Sequence, residues 1–451
     1  MNVKKIFKIL TEQWSILIPA AALFTLAVIN SFMYIGLLED GHHHFWKALI
    51  TDNIFLGHEG ISHFPYNSRY FPTLLSHLSV GISVSLGIIS IKNLLFIFTF
   101  VSYISPVIFL TIIYLNIPKD KKFIFELILL SFLICLIYMV YQIWTENLST
   151  GLFLWIIFII YYYTDFNNMS KINTISLLLF SIMLISSHPM VVIFIPLLLF
   201  LGISKYIKTP KIKLFNKIII ILSFIALFCA CLFNIYFIIH PIFPFKDYMS
   251  FTIFKNTDFI FFLISIFMIL YLSFSKNKKT KCYNCTIAFF ILCFLLFNIL
   301  TFNVKTHIGF TYRILGFYSP LFFILLILVY AKLNLSLKII NIKILNMVLC
   351  IIILTNSLYY GKAWMKYINN LEQYIVKSEK TDITEIIQYH IYHQYSLPFI
   401  LIFIPSLSNN NNLKNFLPAN FFKESINEIV ENKKTLKKFN IDIDNIVKYD
   451  K

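Results

Sequence analysis

Long apolar runs separated by short polar turns dominate the first 360 residues of the chain. Most of these runs approach the ~20 residues that a helix needs to cross the hydrocarbon core of a bilayer. The pattern therefore predicts an all-α polytopic membrane protein with about eleven transmembrane helices. We place them at about 13–36, 92–115, 123–143, 149–163, 172–187, 190–204, 217–239, 259–275, 284–301, 314–332 and 339–360.

Composition agrees with a membrane protein. The chain has 451 residues, of which 59% are hydrophobic, and its mean hydropathy is +0.78. A soluble core of this length does not need so many unbroken apolar runs. Lys4, Lys5 and Lys8 precede the first run, and no small-residue cleavage site follows them, so we expect a retained signal anchor.

The net charge of +17 is a topology signal and does not indicate nucleic acid as a partner. The lysines cluster in turns between hydrophobic runs, and no Gly-rich phosphate loop is present. The positive-inside rule places these turns on the inner side of the membrane, with the N-terminus inside and the C-terminus outside. We expect this membrane to be a bacterial cytoplasmic (inner) membrane. The turns contain Lys4, Lys5, Lys8, Lys119, Lys121, Lys122, Lys171, Lys205, Lys208, Lys211, Lys213, Lys217, Lys276, Lys278, Lys279, Lys281, Lys332, Lys338 and Lys343.

One apolar run, about 73–90, is excluded from the spans. It contains His77, several serines and two glycines, and a crossing there would place Lys119, Lys121 and Lys122 outside. We predict that it lies along the outer interface and does not cross. The first external loop then spans 37–91 and carries interfacial helices.

The sequence after residue 360 predicts a change of environment. The segment 361–367 has Trp364 and Tyr367 at the headgroup level, which is typical of an exit from the membrane. We expect a transmembrane domain at 1–360 and a small external C-terminal region at 361–451. The apolar stretch 397–405 is too short to cross, and we expect it to form a buried strand.

Acidic residues and histidines are concentrated in the first external loop. Glu39 and Asp40 follow the first span directly, and histidines 42, 43, 44, 58 and 63 follow them. Polar groups are costly in a bilayer, so this loop must lie in water or in a polar cavity. A carboxylate held beside apolar groups at the surface can act as a general base. The alternative is that the pair is only the solvated end of a helix.

The order of features in this region resembles the GT-C class of membrane glycosyltransferases. An acidic pair after the first span is followed by an amphipathic stretch at 48–56 and by the sequence Arg69-Tyr70-Phe71-Pro72. The resemblance implies transfer of a sugar from a polyprenyl-phosphate donor to a lipid or glycan acceptor at the outer face, with inversion. It implies that Asp40, beside Glu39, is the catalytic base. Such enzymes often have a second acid in a later external loop, which here is Glu146, with an ordinary loop acid as the alternative.

Cationic side chains are candidates for binding the donor phosphate. Arg69 and Arg313 are the only arginines of the chain, and arginine can hold phosphate through two parallel hydrogen bonds. Lys305 and His307 share a predicted external loop with Arg313, and the alternative for this loop is snorkelling to headgroups. His188, in the predicted turn between the fifth and sixth spans, could contact the donor phosphate or the acceptor hydroxyl, or cap a helix.

A divalent metal ion is the one candidate cofactor. His42 and His44 could bind it together with Asp40, because imidazole and carboxylate suit several ions. Adjacent residues on a helix do not all face one point, which argues against a complete ligand set.

Two other functions remain open from the sequence. A polysaccharide polymerase that joins lipid-linked units would depend on the external arginines and not on a carboxylate. A lipid or glycan transporter would bury charged residues within its spans and use broken helices. The predicted spans are nearly free of charge, with Glu126 near an inner end, which disfavours the transporter.

Overall fold

The structure is a computed structural model that describes residues 3–37, 45–46, 48–49, 70–139, 145–187, 191–192, 194–239, 327, 339–377, 403, 407, 432–439 and 441. Side chains near several helix ends, among them those of residues 3–13 and 145–147, are outside this description.

The described residues form helices and no strands, which confirms the predicted all-α class in this part of the chain. Helices lie at eight of the eleven predicted span positions, and the predicted spans 259–275, 284–301 and 314–332 lie outside the description except for residue 327. The helices are α1 (Val3–Phe32), α2 (Tyr70–Ser85), α3 (Ile91–Asn116), α4 (Phe123–Met139), α5 (Thr145–Tyr163), α6 (Lys171–Met183), α7 (Ile195–Lys208), α8 (Leu214–Ile239), α9 (Ile339–Lys377) and α10 (Lys433–Lys438).

Four described helices are long and apolar enough to cross a membrane, namely Trp14–Phe32, Ile91–Asn116, Leu214–Tyr236 and Ile342–Asn370. This supports the prediction of a membrane protein, while the full count of eleven spans stays a prediction. The last of the four passes the predicted boundary at 360, because α9 continues as one helix to Lys377. No break in the backbone therefore marks the point where we expected the chain to leave the membrane.

The helix α2 occupies the run that we excluded from the spans. A short turn through Gly87 (φ +84°) connects it to α3, and the ring of His77 lies 6.3 Å from the ring of Phe98 in α3. A mid-helix contact across such a tight turn requires the two helices to be antiparallel. Relative to α3, α2 is thus one arm of a helical hairpin, and its predicted location at the outer interface stays a prediction.

Aromatic and polar contacts fix the directions of the long helices. Phe24 and Phe32 of α1 meet Phe100 and Phe96 of α3 at ring distances of 5.7 and 5.2 Å, so α1 and α3 are antiparallel. Ser357 of α9 hydrogen bonds to Asn30 of α1. Seven residues later on α9, Trp364 donates from Nε1 to the carbonyl oxygen of Tyr34 at 3.1 Å, so α1 and α9 are parallel.

The helix α4 runs through the middle of this arrangement. Its residues from Phe123 to Leu136 are all buried, as expected for a helix that is apolar on every side. Glu126 is the buried carboxylate on it, 2% exposed, and its side chain accepts a hydrogen bond from Asn346 of α9 at 2.9 Å. Helix α4 therefore connects to α9 through a polar contact inside the bundle.

Lysine-bearing turns that the sequence predicts to lie inside meet at one end of the bundle, which we name the lysine end. Lys205 at the end of α7 donates to the carbonyl oxygen of Tyr162 at 3.2 Å. The neighbouring Tyr163 lies within electrostatic range of Asp120, which follows α3. Lys343 near the start of α9 lies 3.9 Å from Glu126 near the start of α4. The position of these turns at one end of the bundle agrees with the prediction that they lie on one side of the membrane.

The orientation of the lysine end can be tested by cysteine labelling. Asp120 lies in the turn after α3 with 74% of its side chain exposed. In a cysteine-free background, we expect Asp120→Cys to react with a membrane-impermeant maleimide only after the cells are permeabilised. Lys362→Cys, at an exposed position two residues before Trp364 on α9, should react in intact cells. Labelling of position 120 from outside would reverse the predicted orientation and would allow 73–90 to cross.

Two lysines at this end should make stability depend on pH. Burial lowers the pKa of Lys205 to about 8, against the opposing charge of Asp165. Burial and the charge of Lys119 lower the pKa of Lys122 to about 8 as well. Between about pH 8 and the ordinary lysine pKa of about 10.4, the unfolded chain binds more protons than the folded chain, so the free energy of unfolding should rise with pH.

We expect the thermal midpoint in detergent to increase over this pH range and the increase to be smaller in Lys205→Met. The exposed Lys208 lies on the same helix end, and Lys208→Met should keep the wild-type slope. Equal slopes in all three proteins would contradict the assignment.

Candidate functional site

The end of the bundle opposite the lysine end receives both ends of the segment that carries the predicted catalytic pair. We name it the loop end. A 3-10 turn at Ile35–Leu37 follows α1, is fully buried, and contacts α1 and α3. Phe45 is also fully buried and lies 5.5 Å from Phe98 of α3, ring to ring. The seven residues 38–44 therefore connect two points that are both fixed against α3.

A C-terminal residue packs on the same aromatic cluster. The ring of Phe403 lies 5.3 Å from that of Phe45 and 6.3 Å from that of Trp46, and all three side chains are buried. Phe403 has a helical conformation, so at this position the predicted strand at 397–405 is wrong. A continuous apolar stretch of nine residues is compatible with a buried strand, but it is too short to be distinguished from a buried helical turn by its pattern. The contact brings the C-terminal region to the first loop.

A backbone hydrogen bond connects the start of α2 to the segment after α6. The amide of Phe71 donates to the carbonyl oxygen of Ser186 at 3.3 Å. Phe71 follows Arg69 by two residues, and Ser186 precedes His188 by two residues. Helix α2 also packs against α5, which begins at Thr145. Thus the described neighbours of two predicted substrate-binding residues contact each other.

Buried polar groups hold the three long helices together just below the loop end. Ser357 of α9 donates to the Asn30 side-chain oxygen at 2.5 Å, and Tyr103 of α3 also hydrogen bonds to Asn30. All three residues are at most 5% exposed. Hydrogen bonds of this kind are favourable where no water competes. They fix the positions of α1, α3 and α9 next to the 3-10 turn at Ile35–Leu37.

Nearly all predicted site residues lie outside the described part of the chain. This holds for Glu39, Asp40, Arg69, His188, Lys305, His307, Arg313 and the candidate metal ligands His42 and His44. Their assignments stay predictions. Glu146 is the exception for its backbone, since α5 begins at Thr145 and not at the predicted 149, so Glu146 belongs to a first helical turn and not to a loop.

Two features of the loop end were missed in the sequence. In the sequence His77 is only one polar residue of the excluded run, and the structure brings its ring to 6.3 Å from that of Phe98, the residue that also contacts Phe45. Asn30 was treated as part of an apolar span. The sequence signal for both residues is a polar side chain within an apolar run. Such a side chain is costly in free energy unless it has a partner or a function.

The described residues contain no group of three or more His, Cys, Asp or Glu side chains that could hold a metal ion. Because His42, His44 and Asp40 are outside the description, the candidate metal site stays a prediction.

Comparisons with protein-family models, with curated proteins and with solved structures give no match to this chain.

Proposed function

We propose that the protein is a polytopic membrane glycosyltransferase that moves a sugar from a polyprenyl-phosphate carrier to a lipid or glycan acceptor at the outer face. In this proposal Asp40 removes the proton from the acceptor hydroxyl. Arg69, Arg313 and Lys305 stabilise the phosphate that leaves the sugar, with His188, His307 and Glu146 as further substrate contacts.

The observation that carries the proposal is the convergence of chain segments on α3 at the loop end. Leu37 and Phe45 flank the acidic segment, and both pack there. Phe71, two residues after Arg69, hydrogen bonds to Ser186, two residues before His188. The described neighbours of Arg69 and His188 thus contact each other, which supports a shared substrate-binding role for these two segments.

The chemistry of these segments suits a single displacement at a sugar carbon. A carboxylate takes up the acceptor proton, the acceptor oxygen forms the new glycosidic bond, and the bond from the sugar carbon to the phosphate oxygen breaks. The electron pair of that bond leaves with the phosphate, where guanidinium and ammonium groups offset the added negative charge. No cofactor has to supply electrons or energy for this step.

Mass spectrometry of a deletion strain tests the proposal most directly. Loss of the protein should remove one sugar from a surface glycan or glycolipid and leave its polyprenyl-phosphate donor unused. The purified chain in proteoliposomes should then restore transfer from the accumulated donor. Unchanged glycans and unchanged lipid-linked intermediates in the deletion strain would contradict the proposal.

Substitution of the two arginines separates the transferase from a polymerase of lipid-linked units. Arg313→Lys and Arg69→Lys keep the charge but remove the planar fork, so donor binding should weaken while Asp40 remains indispensable. A polymerase that depends on arginine should lose activity with either change and tolerate Asp40→Asn. If both arginine variants behave as wild type, the phosphate-site assignment is wrong.

A further inference from the structure

Six lysines of the lysine end lie at or near the start of α6, the end of α7 and the start of α8. We name this group the lysine rim, which consists of Lys171, Lys205, Lys208, Lys211, Lys213 and Lys217. Five of the six are exposed, and only Lys205 is half-buried. The rim is separate from the proposed catalytic site, which lies at the opposite end of the bundle.

Buried hydrogen bonds hold the elements of the rim together. Thr174 at the start of α6 donates to the side-chain oxygen of Asn216 at the start of α8, at 3.3 Å. The Nδ2 atom of Asn216 is within 3.5 Å of the carbonyl oxygen of Phe166, in the turn before α6. Lys205 connects the end of α7 to the end of α5 through Tyr162. The lysines are thus carried by a fixed set of helix ends.

The positive charge of the rim is only weakly compensated. Among the described residues of these turns, Asp165 is the one carboxylate. Its two oxygens accept hydrogen bonds from the amide of Asn167 at 3.1 Å and from the side chain of Asn168 at 3.3 Å. These bonds hold the aspartate in its own turn, and its charge offsets only part of that of the six lysines, acting on Lys205. The rim consequently presents a surface of high positive charge to any anion.

Exposed apolar side chains stand next to these lysines. Ile172 is 72% exposed, Ile207 is 76% exposed and Leu214 is 73% exposed, and each directly neighbours a rim lysine in sequence. Phe215 and Ile218 continue the apolar surface along α8. A band of large apolar side chains beside lysines matches the boundary between acyl chains and headgroups, where lysines extend toward the charged layer.

We propose that the lysine rim is a binding surface for anionic phospholipid headgroups in the leaflet at that end of the bundle. The lysines contact the headgroup phosphodiesters, and the neighbouring isoleucine, leucine and phenylalanine side chains contact the acyl chains. Charge selects the partner, because zwitterionic lipids carry no net charge to balance the rim. This inference is independent of the proposed transferase activity.

Native mass spectrometry of the full-length protein in detergent micelles tests the proposal, with phosphatidylglycerol and phosphatidylcholine as probes. The test variant is Lys208→Gln/Lys211→Gln/Lys213→Gln, which changes three exposed rim lysines. Because each lysine near an anionic surface contributes about five-fold in affinity, phosphatidylglycerol binding should fall at least about ten-fold. Phosphatidylcholine binding should not change.

A matched variant removes the same charge elsewhere. Lys92→Gln/Lys362→Gln/Lys366→Gln changes three exposed lysines on α3 and α9 and should keep wild-type phosphatidylglycerol binding. The charge-conserving Lys208→Arg/Lys211→Arg/Lys213→Arg variant should also keep it, which controls for folding. The proposal is overturned if the rim variant binds as wild type, or if the matched variant loses as much. Displacement of the lipid by an excess of inorganic phosphate would assign the rim to free anions and also overturn it.

Discussion

Asp40→Asn should abolish sugar transfer while the protein remains folded. The substitution keeps the shape of the side chain and removes the carboxylate that takes up the acceptor proton, and loss of a general base costs roughly two to four decades in rate. The measurement is the initial rate of transfer from a polyprenyl-phosphate-linked sugar in proteoliposomes. Thermal unfolding in detergent should be unchanged, because the flanking residues Leu37 and Phe45 carry the packing of this segment.

Glu39→Gln is the matched control, since it removes the same charge one residue earlier. We expect it to retain transfer with at most a moderate loss. Full activity of Asp40→Asn together with an inactive Glu39→Gln would move the base to Glu39. Full activity of both variants would contradict a carboxylate-driven transferase.

Lys343→Met should destabilise the bundle, and Glu126→Gln should restore it. The Glu126 carboxylate is 2% exposed, and its Oε1 atom lies 3.9 Å from the Nζ atom of Lys343. Removing one partner of a buried pair typically costs about 3–5 kcal/mol because the remaining charge is uncompensated. The Lys343 side chain is 39% exposed, so solvent screens part of this interaction and we expect about 2 kcal/mol.

A double-mutant cycle measures the coupling. In Glu126→Gln/Lys343→Met the neutral amide needs no counter-charge, and its side-chain oxygen can still accept the hydrogen bond from Asn346 that is 2.9 Å long in the wild type. The double variant should therefore be more stable than Lys343→Met in detergent unfolding. Lys362→Met, an exposed position on the same helix, should have little effect. Equal stability of Lys343→Met with and without Glu126→Gln would show that the pair is not coupled.

The sequence by itself determined where helices lie and which lysine-bearing turns are on the same side of the bundle. Both depend on local signals, namely the length of an apolar run and the lysines that follow it. Eight predicted spans have a helix in the structure, and the lysines of the turns around Lys122, Lys205 and Lys343 meet at one end of the bundle. Helix ends were less accurate, as at Glu146, because capping and fraying depend on neighbours outside the helix.

The functional assignment is a different case. The acidic pair and the arginines were found as residue types in order along the chain, and they lie outside the described residues, so the sequence is still their main support. What the structure adds is the geometry of their described neighbours. The contact between Phe71 and Ser186 joins segments 115 positions apart in the chain, and no local pattern encodes such a contact.

Only the tertiary structure decided the partners of α2 and of Glu126. The serines of α2 make that run a weak candidate for a span in the sequence, but Ser76, Ser79 and Ser83 each donate to a carbonyl oxygen three or four residues earlier in the same helix. Such bonds satisfy the hydroxyls internally, so the helix can pack against α3 without exposing unpaired donors. Glu126 is buried because Asn346 and Lys343, more than 200 residues later in the chain, supply a hydrogen bond and a counter-charge. A polar residue in an apolar run indicates that burying it costs free energy. The hydrogen bonds and counter-charges that offset this cost depend on which segments the fold brings together.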